Sequence, residues 1–197
     1  MLGVDDPLPR RPSRVLVAGT SGAGKTTLAS ALAGDLGVTH FEVDALYHGP
    51  GWTPRPTFVE DVTAAVAAPT WVMEWEYRLV RDLLAERADL LLWLDLPRRT
   101  VMRQVVTRTL RRRLRREVLW NGNLEPPLRT FVTDDGHIVR WAWRTHAHTR
   151  VRVLELPSRH PGLVVVRLRS HAEVRRWRAG PLADVVGTSA APGSGRP

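Results

Sequence analysis

Residues 19–27 read Gly-Thr-Ser-Gly-Ala-Gly-Lys-Thr-Thr, and the stretch from Gly19 to Thr26 fits the spacing G-x-x-x-x-G-K-[ST]. The apolar run Val15-Leu16-Val17-Ala18 precedes it, and Leu28, Ala31, Leu32 and Leu36 follow at helical spacing. A strand, a glycine-rich turn and a helix in that order constrain the fold more than any other feature of the chain. Such a turn lets backbone N–H groups curl into an anion-binding nest, and the helix N-terminus adds its positive end. Gly19, Thr20, Ser21, Gly22, Ala23, Gly24, Lys25, Thr26 and Thr27 are therefore the expected nucleotide-phosphate ligands.

Lys25 is the only lysine in the chain, and the other 28 Lys/Arg positions are arginine. A tight nest accounts for the exception. A compact ammonium on a thin stem fits between two phosphates where a planar guanidinium fork is too wide. Lys25 is expected to reach the β- and γ-phosphates of ATP, and the Thr26 hydroxyl to hold Mg²⁺. With no second lysine, the Asn-Lys-x-Asp segment by which regulatory GTPases read guanine is excluded. The larger domain and Asp-Glu-terminated strand of ring-forming motor ATPases are not seen either.

The chain has 197 residues, 43% of them hydrophobic and 25% charged, enough for one well-buried domain. There are no cysteines, which excludes disulfides, thiolate zinc sites and a cysteine nucleophile. The apolar run LLLWLDLP falls well short of the roughly 20 residues that span a bilayer, and the N-terminus lacks the apolar stretch of a signal peptide. The reading is a soluble, cytoplasmic protein with no membrane partner, monomeric or homodimeric. The net charge of +9 favours anionic partners, among which charge alone does not choose. Residues 1–13 and 187–197 read as mobile tails around a domain at 14–180. Short apolar strands are expected at 15–18, 40–43, 71–74, 90–96 and 163–168. Helices are expected at about 27–36, after a Thr57/Glu60 capping box, near 78–87, at 98–116, from 136 to 155, and from 172. Strands separated by helices imply right-handed crossovers and a parallel sheet covered on both faces, an α/β architecture.

Together with the phosphate loop, the stretches VDALYHGPGW (43–52), WVMEWEY (71–77), ADLLLWLDLPR (88–98) and VVVRLRSHAEV (164–174) carry a resemblance. The chain resembles the small P-loop kinases of the adenylate kinase and shikimate kinase type, and within them looks most like bacterial topology modulation proteins. The resemblance implies a three-layer fold with a five-stranded parallel sheet in the order 2-3-1-4-5, and transfer of the γ-phosphoryl of ATP to a small anionic or hydroxylated acceptor. In such kinases the second strand commonly ends in an acidic residue facing the acceptor. Asp44 sits there and could take or orient the proton of an acceptor hydroxyl; the alternative is a loop or N-cap aspartate. His48 could touch substrate or be a solvated loop histidine, and Trp52 could stack on a ring or simply pack. Glu74 ends the third strand, where it would sit near the metal through water, and Asp95 is a second outer-shell candidate. Arg78 is either an acceptor-anion ligand or solvent-facing. Trp75, standing where these kinases carry a small glycine, departs from the pattern.

Residues 103–117 hold seven arginines and one acidic residue, Glu117. The resemblance implies that this helix belongs to an arginine-rich lid, about 103–136, that closes over the ATP phosphates. Arg108 and Arg112 share a helix face, as do Arg111 and Arg115. Arg108 and Arg112 are taken as the catalytic pair. Asp134-Asp135 would follow the lid or cap the next helix. A solvated face and a nucleic-acid surface are the other readings of the run. Nucleic acid is the less favoured, because aromatics are not interleaved with the arginines.

Overall fold

The computed structural model describes residues 1–123 and 138–188. Its strands are β1 (Arg14–Gly19), β2 (His40–Phe41), β3 (Trp71–Glu74), β4 (Leu90–Leu94) and β5 (Val164–Leu168). They form one parallel sheet in the order β2-β3-β1-β4-β5. Side chains of successive strand residues point to opposite faces, so each strand serves two cores. Val15 and Val17 pack with Leu28, Leu32, Leu92 and Trp177 on one side of the sheet. Leu16 and Ala18 pack with Phe58, Met73, Trp93 and Leu156 on the other. All five residues of β4 are buried, which explains its unbroken apolar run.

The helices are α1 (Lys25–Leu36), α2 (Val43–Tyr47), α3 (Phe58–Ala65), α4 (Arg81–Arg87), α5 (Arg98–Leu114), α6 (Ile138–Arg159), α7 (His171–Trp177) and α8 (Ala183–Thr188). Because all five strands run parallel, each connection crosses back to the starting edge, and the C-terminal ends of the strands and the loops that follow them gather on one edge of the sheet. The candidate site is built there.

Three local expectations change. Residues 1–13, read as a loose tail, lie against the sheet: Leu2 N donates to Val165 O at 2.7 Å, Arg167 N donates to Leu2 O at 2.9 Å, and Leu8 is buried. The open edge of β5 offers unpaired backbone groups, and pairing them outweighs the ordering cost of the segment. The Thr57 hydroxyl donates to Asp61 Oδ2 at 2.9 Å instead of capping α3. Asp44 lies inside α2, because β2 stops at Phe41. The C-terminal half of the expected lid (124–136), with Asp134-Asp135, and the tail from 189 lie outside the described residues. Among the described residues no helix is long and apolar enough to cross a membrane.

Candidate active site

The loop between β1 and α1 turns on Gly22 (φ 87°) and Gly24 (φ 94°), a left-handed conformation that glycine adopts without steric cost. A Cβ on Gly22 would fall 2.8 Å from Val105 Cβ, so α5 closes directly against the loop. Ala23 N donates to Thr20 O at 2.9 Å, tightening the turn. Gly24 caps α1 with no side-chain hydrogen bond, and no acidic residue occupies the first helical turn. The positive end of α1 is thus left for an external anion. Lys25 is buried; its Nζ donates to Thr20 O at 3.3 Å and pairs with Glu76 Oε1 at 3.0 Å. Thr26 and Ser21 are half-buried beside it, and Thr27 is exposed. This cradle fits the phosphates of a nucleoside triphosphate.

Glu76 follows β3, and its neighbour Tyr77 reaches back to α2. The Tyr77 hydroxyl donates to Asp44 Oδ1 at 2.5 Å and lies 3.1 Å from His48 Nε2. Burial pushes the Asp44 carboxyl above its ordinary range; the Tyr77 hydrogen bond and Lys25 pull it back, while Glu74 and Glu42 push it further up. Burial likewise raises Glu76, against the pull of Lys25 and with the push of Asp44. Lys25 with Glu76, and Asp44 and His48 with Tyr77, are thus two sets of contacts joined through the chain neighbours Glu76 and Tyr77. Burial also pushes the His48 imidazole below its ordinary pKa, against the backbone of Trp52 and the charge of Glu76.

The two carboxylates expected beside the metal have other partners. Glu74 is buried, with Oε1 3.1 Å from His40 Nε2 and Oε2 accepting from Val43 N at 3.2 Å. Burial works against its charge, but the contacts to His40 and the Val43 N–H hold it below the usual carboxylate range. It fastens the β2-α2 turn to β3. Asp95 is paired with Arg167, whose Nε donates at 2.8 Å, and with Arg150 at 3.5 Å. Arg167 in turn lies over the Trp93 ring at 4.9 Å. Thr26 is left as the expected metal ligand at the loop. Among the described residues no group of three or more His, Asp or Glu side chains could hold a metal alone; phosphate oxygens would have to complete the shell.

The inner face of α5 carries Val101, Val105 and Thr109, all buried. Arg108 and Arg112 continue that face and are half-buried, whereas Arg103, Arg111, Arg113, Arg115 and Arg116 are exposed. Arg112 lies 3.7 Å from Glu117 and its guanidinium is 5.8 Å from the Trp120 ring centroid. Of the two i, i+4 pairs, the structure turns Arg108 and Arg112 toward the loop side.

The segment after α5 clasps the loop that carries His48 and Trp52. Asn123, buried, donates to Gly49 O at 2.9 Å and accepts from Trp52 N at 3.0 Å; Asn121 Nδ2 donates to His48 O. Trp120 lies nearly parallel to His48 (6.2 Å between centroids, 23°), and Trp52 meets His48 edge-on at 5.0 Å. Arg78 stands exposed in the turn after Tyr77. Glu76, Tyr77, Trp120, Asn121 and Asn123 are the site residues that sequence reasoning missed. For Glu76 and Tyr77 a signal existed: residues just past a parallel strand's C-terminal end stand where such sheets bind ligands.

The sheet order, the loop after β1 and the crossovers decide the fold. It is that of a P-loop NTPase. A family model described as ATPase family associated with various cellular activities (AAA) matches residues 15–67, the stretch from β1 to the end of α3. Among solved structures, a gluconokinase from Sinorhizobium meliloti 1021 superposes with a TM-score of 0.52 at 22% identity, covering 91% of this chain and 97% of that one. A shikimate kinase from Bacteroides thetaiotaomicron gives a TM-score of 0.45 at 14% identity, covering 89% of this chain and 99% of that one. A sugar kinase from Janibacter sp. HTCC2649 gives 0.43 at 20%, covering 92% of each. No curated protein matches the chain.

Proposed function

We propose that this P-loop protein is an ATP-dependent phosphotransferase that passes the γ-phosphoryl group to a hydroxyl or phosphate acceptor held beside Asp44. The observation that carries the reading is a shared turn: Glu76 pairs with the loop ammonium Lys25, and its neighbour Tyr77 hydrogen-bonds the α2 carboxylate Asp44. A module that merely bound nucleotide would have no use for a half-buried carboxylate held next to the lysine.

In this reading the loop amides and the N-terminus of α1 hold the phosphate chain, and Lys25 exchanges Glu76 for the β- and γ-phosphates. Thr26 would hold Mg²⁺, which supplies neutralisation of phosphate charge when bound. Asp44 accepts or orients the proton of an acceptor hydroxyl. Arg108 and Arg112, on the loop side of α5, stabilise charge on the transferring group, while Val101 and Val105 exclude water beneath it. The acceptor would lie among Asp44, His48 and Trp52; Arg78, exposed, would meet it only if the turn after β3 moved. The likeness to topology modulation proteins rests on residues 43–52 and belongs to this proposal, as does a cytoplasmic, monomeric or homodimeric protein.

Acceptor-stimulated ADP release over a panel of nucleosides, nucleoside monophosphates and hydroxylated metabolites tests the reading. Stimulation by at least one class is expected, lost in Lys25→Ala. Basal hydrolysis throughout, with nucleic-acid binding that weakens steeply with salt, would assign the chain instead to regulatory, nucleic-acid-associated P-loop proteins. Transfer confined to a sugar nucleotide or an RNA end would assign it to toxin-like kinases.

A further inference from the structure

Asp44 is placed badly for a base if its surroundings are read without Tyr77. It is half-buried, and the charged or titratable groups that face it are Glu42 before α2, Lys25 on α1, Glu74 at the end of β3, and Glu76 and Tyr77 in the turn after it. Burial, with Glu74 and Glu42 adding to it against the pull of Lys25, favours the protonated acid. A protonated Asp44 cannot take a proton. Lys25, moreover, is the group that must turn to the phosphates when nucleotide binds.

Tyr77 is held where it can offset this. Its backbone sits at φ 53°, a left-handed conformation that a bulky residue adopts only at a steric cost. Strain of that kind persists where the surroundings over-determine it, and it gathers at functional sites. Here the ring is stacked on Tyr47 (4.0 Å, 24°) and meets Phe58 edge-on at 5.2 Å. Those contacts aim the hydroxyl at Asp44 Oδ1, 2.5 Å away. The hydroxyl has a single proton to give. Once that proton lies toward Asp44, the 3.1 Å contact with His48 Nε2 is a hydrogen bond only with His48 as donor.

Building on the phosphotransferase reading, we propose that Tyr77 and His48 are positioning residues for Asp44. His48 Nε2–H fixes the rotation of the Tyr77 hydroxyl, the hydroxyl occupies Oδ1 and favours the carboxylate, and Oδ2 faces the acceptor hydroxyl. On transfer the acceptor's O–H bond breaks and its proton goes to Oδ2, its oxygen bonds to the γ-phosphorus of ATP, and the bond from that phosphorus to the bridging oxygen breaks, leaving ADP. Tyr77 and His48 keep their protons throughout.

The test uses the whole chain, first without nucleotide. Carbon-13 carboxyl titrations of wild type and Tyr77→Phe, with Asp44 assigned by comparison with Asp44→Asn, read the carboxylate directly. Phenylalanine keeps the stack on Tyr47, and circular dichroism checks the fold. Tyr77→Phe is expected to raise the proton affinity of Asp44 by roughly tenfold. It should carry the acid limb of the kcat/KM profile to higher pH, with KM little changed. His48→Leu should produce a smaller shift in the same direction, and His48→Gln, which retains a donor, should largely restore the wild-type profile. Nitrogen-15 spectra should show the His48 proton on Nε2. An Asp44 titration that does not move in folded Tyr77→Phe overturns the role of Tyr77, and a His48 proton on Nδ1 overturns that of His48. A shifted titration in a protein that transfers phosphoryl to no acceptor would leave the positioning intact and remove the phosphotransferase reading.

Discussion

The phosphate loop and the region around Asp44 face each other across Lys25, and they differ in the residues that adopt left-handed backbone. In the loop the left-handed positions are glycines, Gly22 and Gly24, where the conformation is free of a Cβ clash. Around Asp44 they include Gly51 and Gly122 but also Asn121 and the aromatics Trp52 and Tyr77, and these two pay for the same conformation with bulky side chains. The loop does its work with main-chain amides and needs only to be the right shape. The second region works with side chains brought from α2, the turn after β3 and the segment after α5. Its shape is set by their mutual contacts: Tyr77 on Tyr47, Trp120 beside His48, Asn123 on Gly49 and Trp52.

The sharpest way to break this contrast is Lys25, which belongs to both halves. Lys25→Ala and Lys25→Arg are each expected to lower acceptor-stimulated ADP release by at least roughly 100- to 1,000-fold, with the circular dichroism spectrum retained. Near-normal turnover in either folded variant would separate the two halves functionally.

Asp44→Asn addresses the acceptor half alone. Transfer should fall by roughly 100- to 10,000-fold while affinity for ATP stays within a few-fold of wild type. The same variant should melt above wild type at pH 7. The folded-state pKa of Asp44 lies above its ordinary value, so the ionised group costs stability wherever pH exceeds that pKa. As pH falls through it, the wild type takes up the proton in the folded state first and gains stability, and the gap between the two should close. A gap that widened with acid would reverse the assigned sign.

The two arginine pairs on α5 give a smaller effect. Arg108→Ala with Arg112→Ala should reduce kcat by roughly 10- to 100-fold, and Arg111→Ala with Arg115→Ala by less than about twofold, because only the first pair continues the Val101-Val105 face toward the loop. Gly22→Ala acts chiefly on stability. Its Cβ would stand 2.8 Å from Val105 Cβ at φ 87°, and a loss of about 1–3 kcal/mol is expected in denaturant unfolding.

The same contrast explains what could be read in advance. The five strands and the phosphate loop were legible because each is signalled locally: Val15 to Ala18 by its apolar run, α1 by the spacing of Leu28, Leu32 and Leu36, the nest by its glycines; the strand order came with the resemblance. Asp44, His48 and Trp52 were legible as residues, since a resemblance marked the segment, but not their partners. Glu74 drew attention as the residue that ends β3, yet its two oxygens serve His40 and Val43, and Glu76 two positions on meets the lysine. Nothing in the local pattern distinguishes these two glutamates; the difference lies in how β2 stops at Phe41 and turns. Asp95 likewise looked available until β5 brought Arg167 beside it, a contact across 72 residues. The docking of residues 1–13 depended on the open edge of β5, which only the assembled sheet reveals.

In the proposed function Lys25 and the loop amides take up the phosphates of a nucleoside triphosphate. Titration calorimetry of the folded wild type with ATP, with and without Mg²⁺, is predicted to give magnesium-assisted binding, abolished in Lys25→Ala. Wild-type protein of native circular dichroism that releases no heat with any nucleoside triphosphate, by calorimetry at more than one temperature, would contradict it.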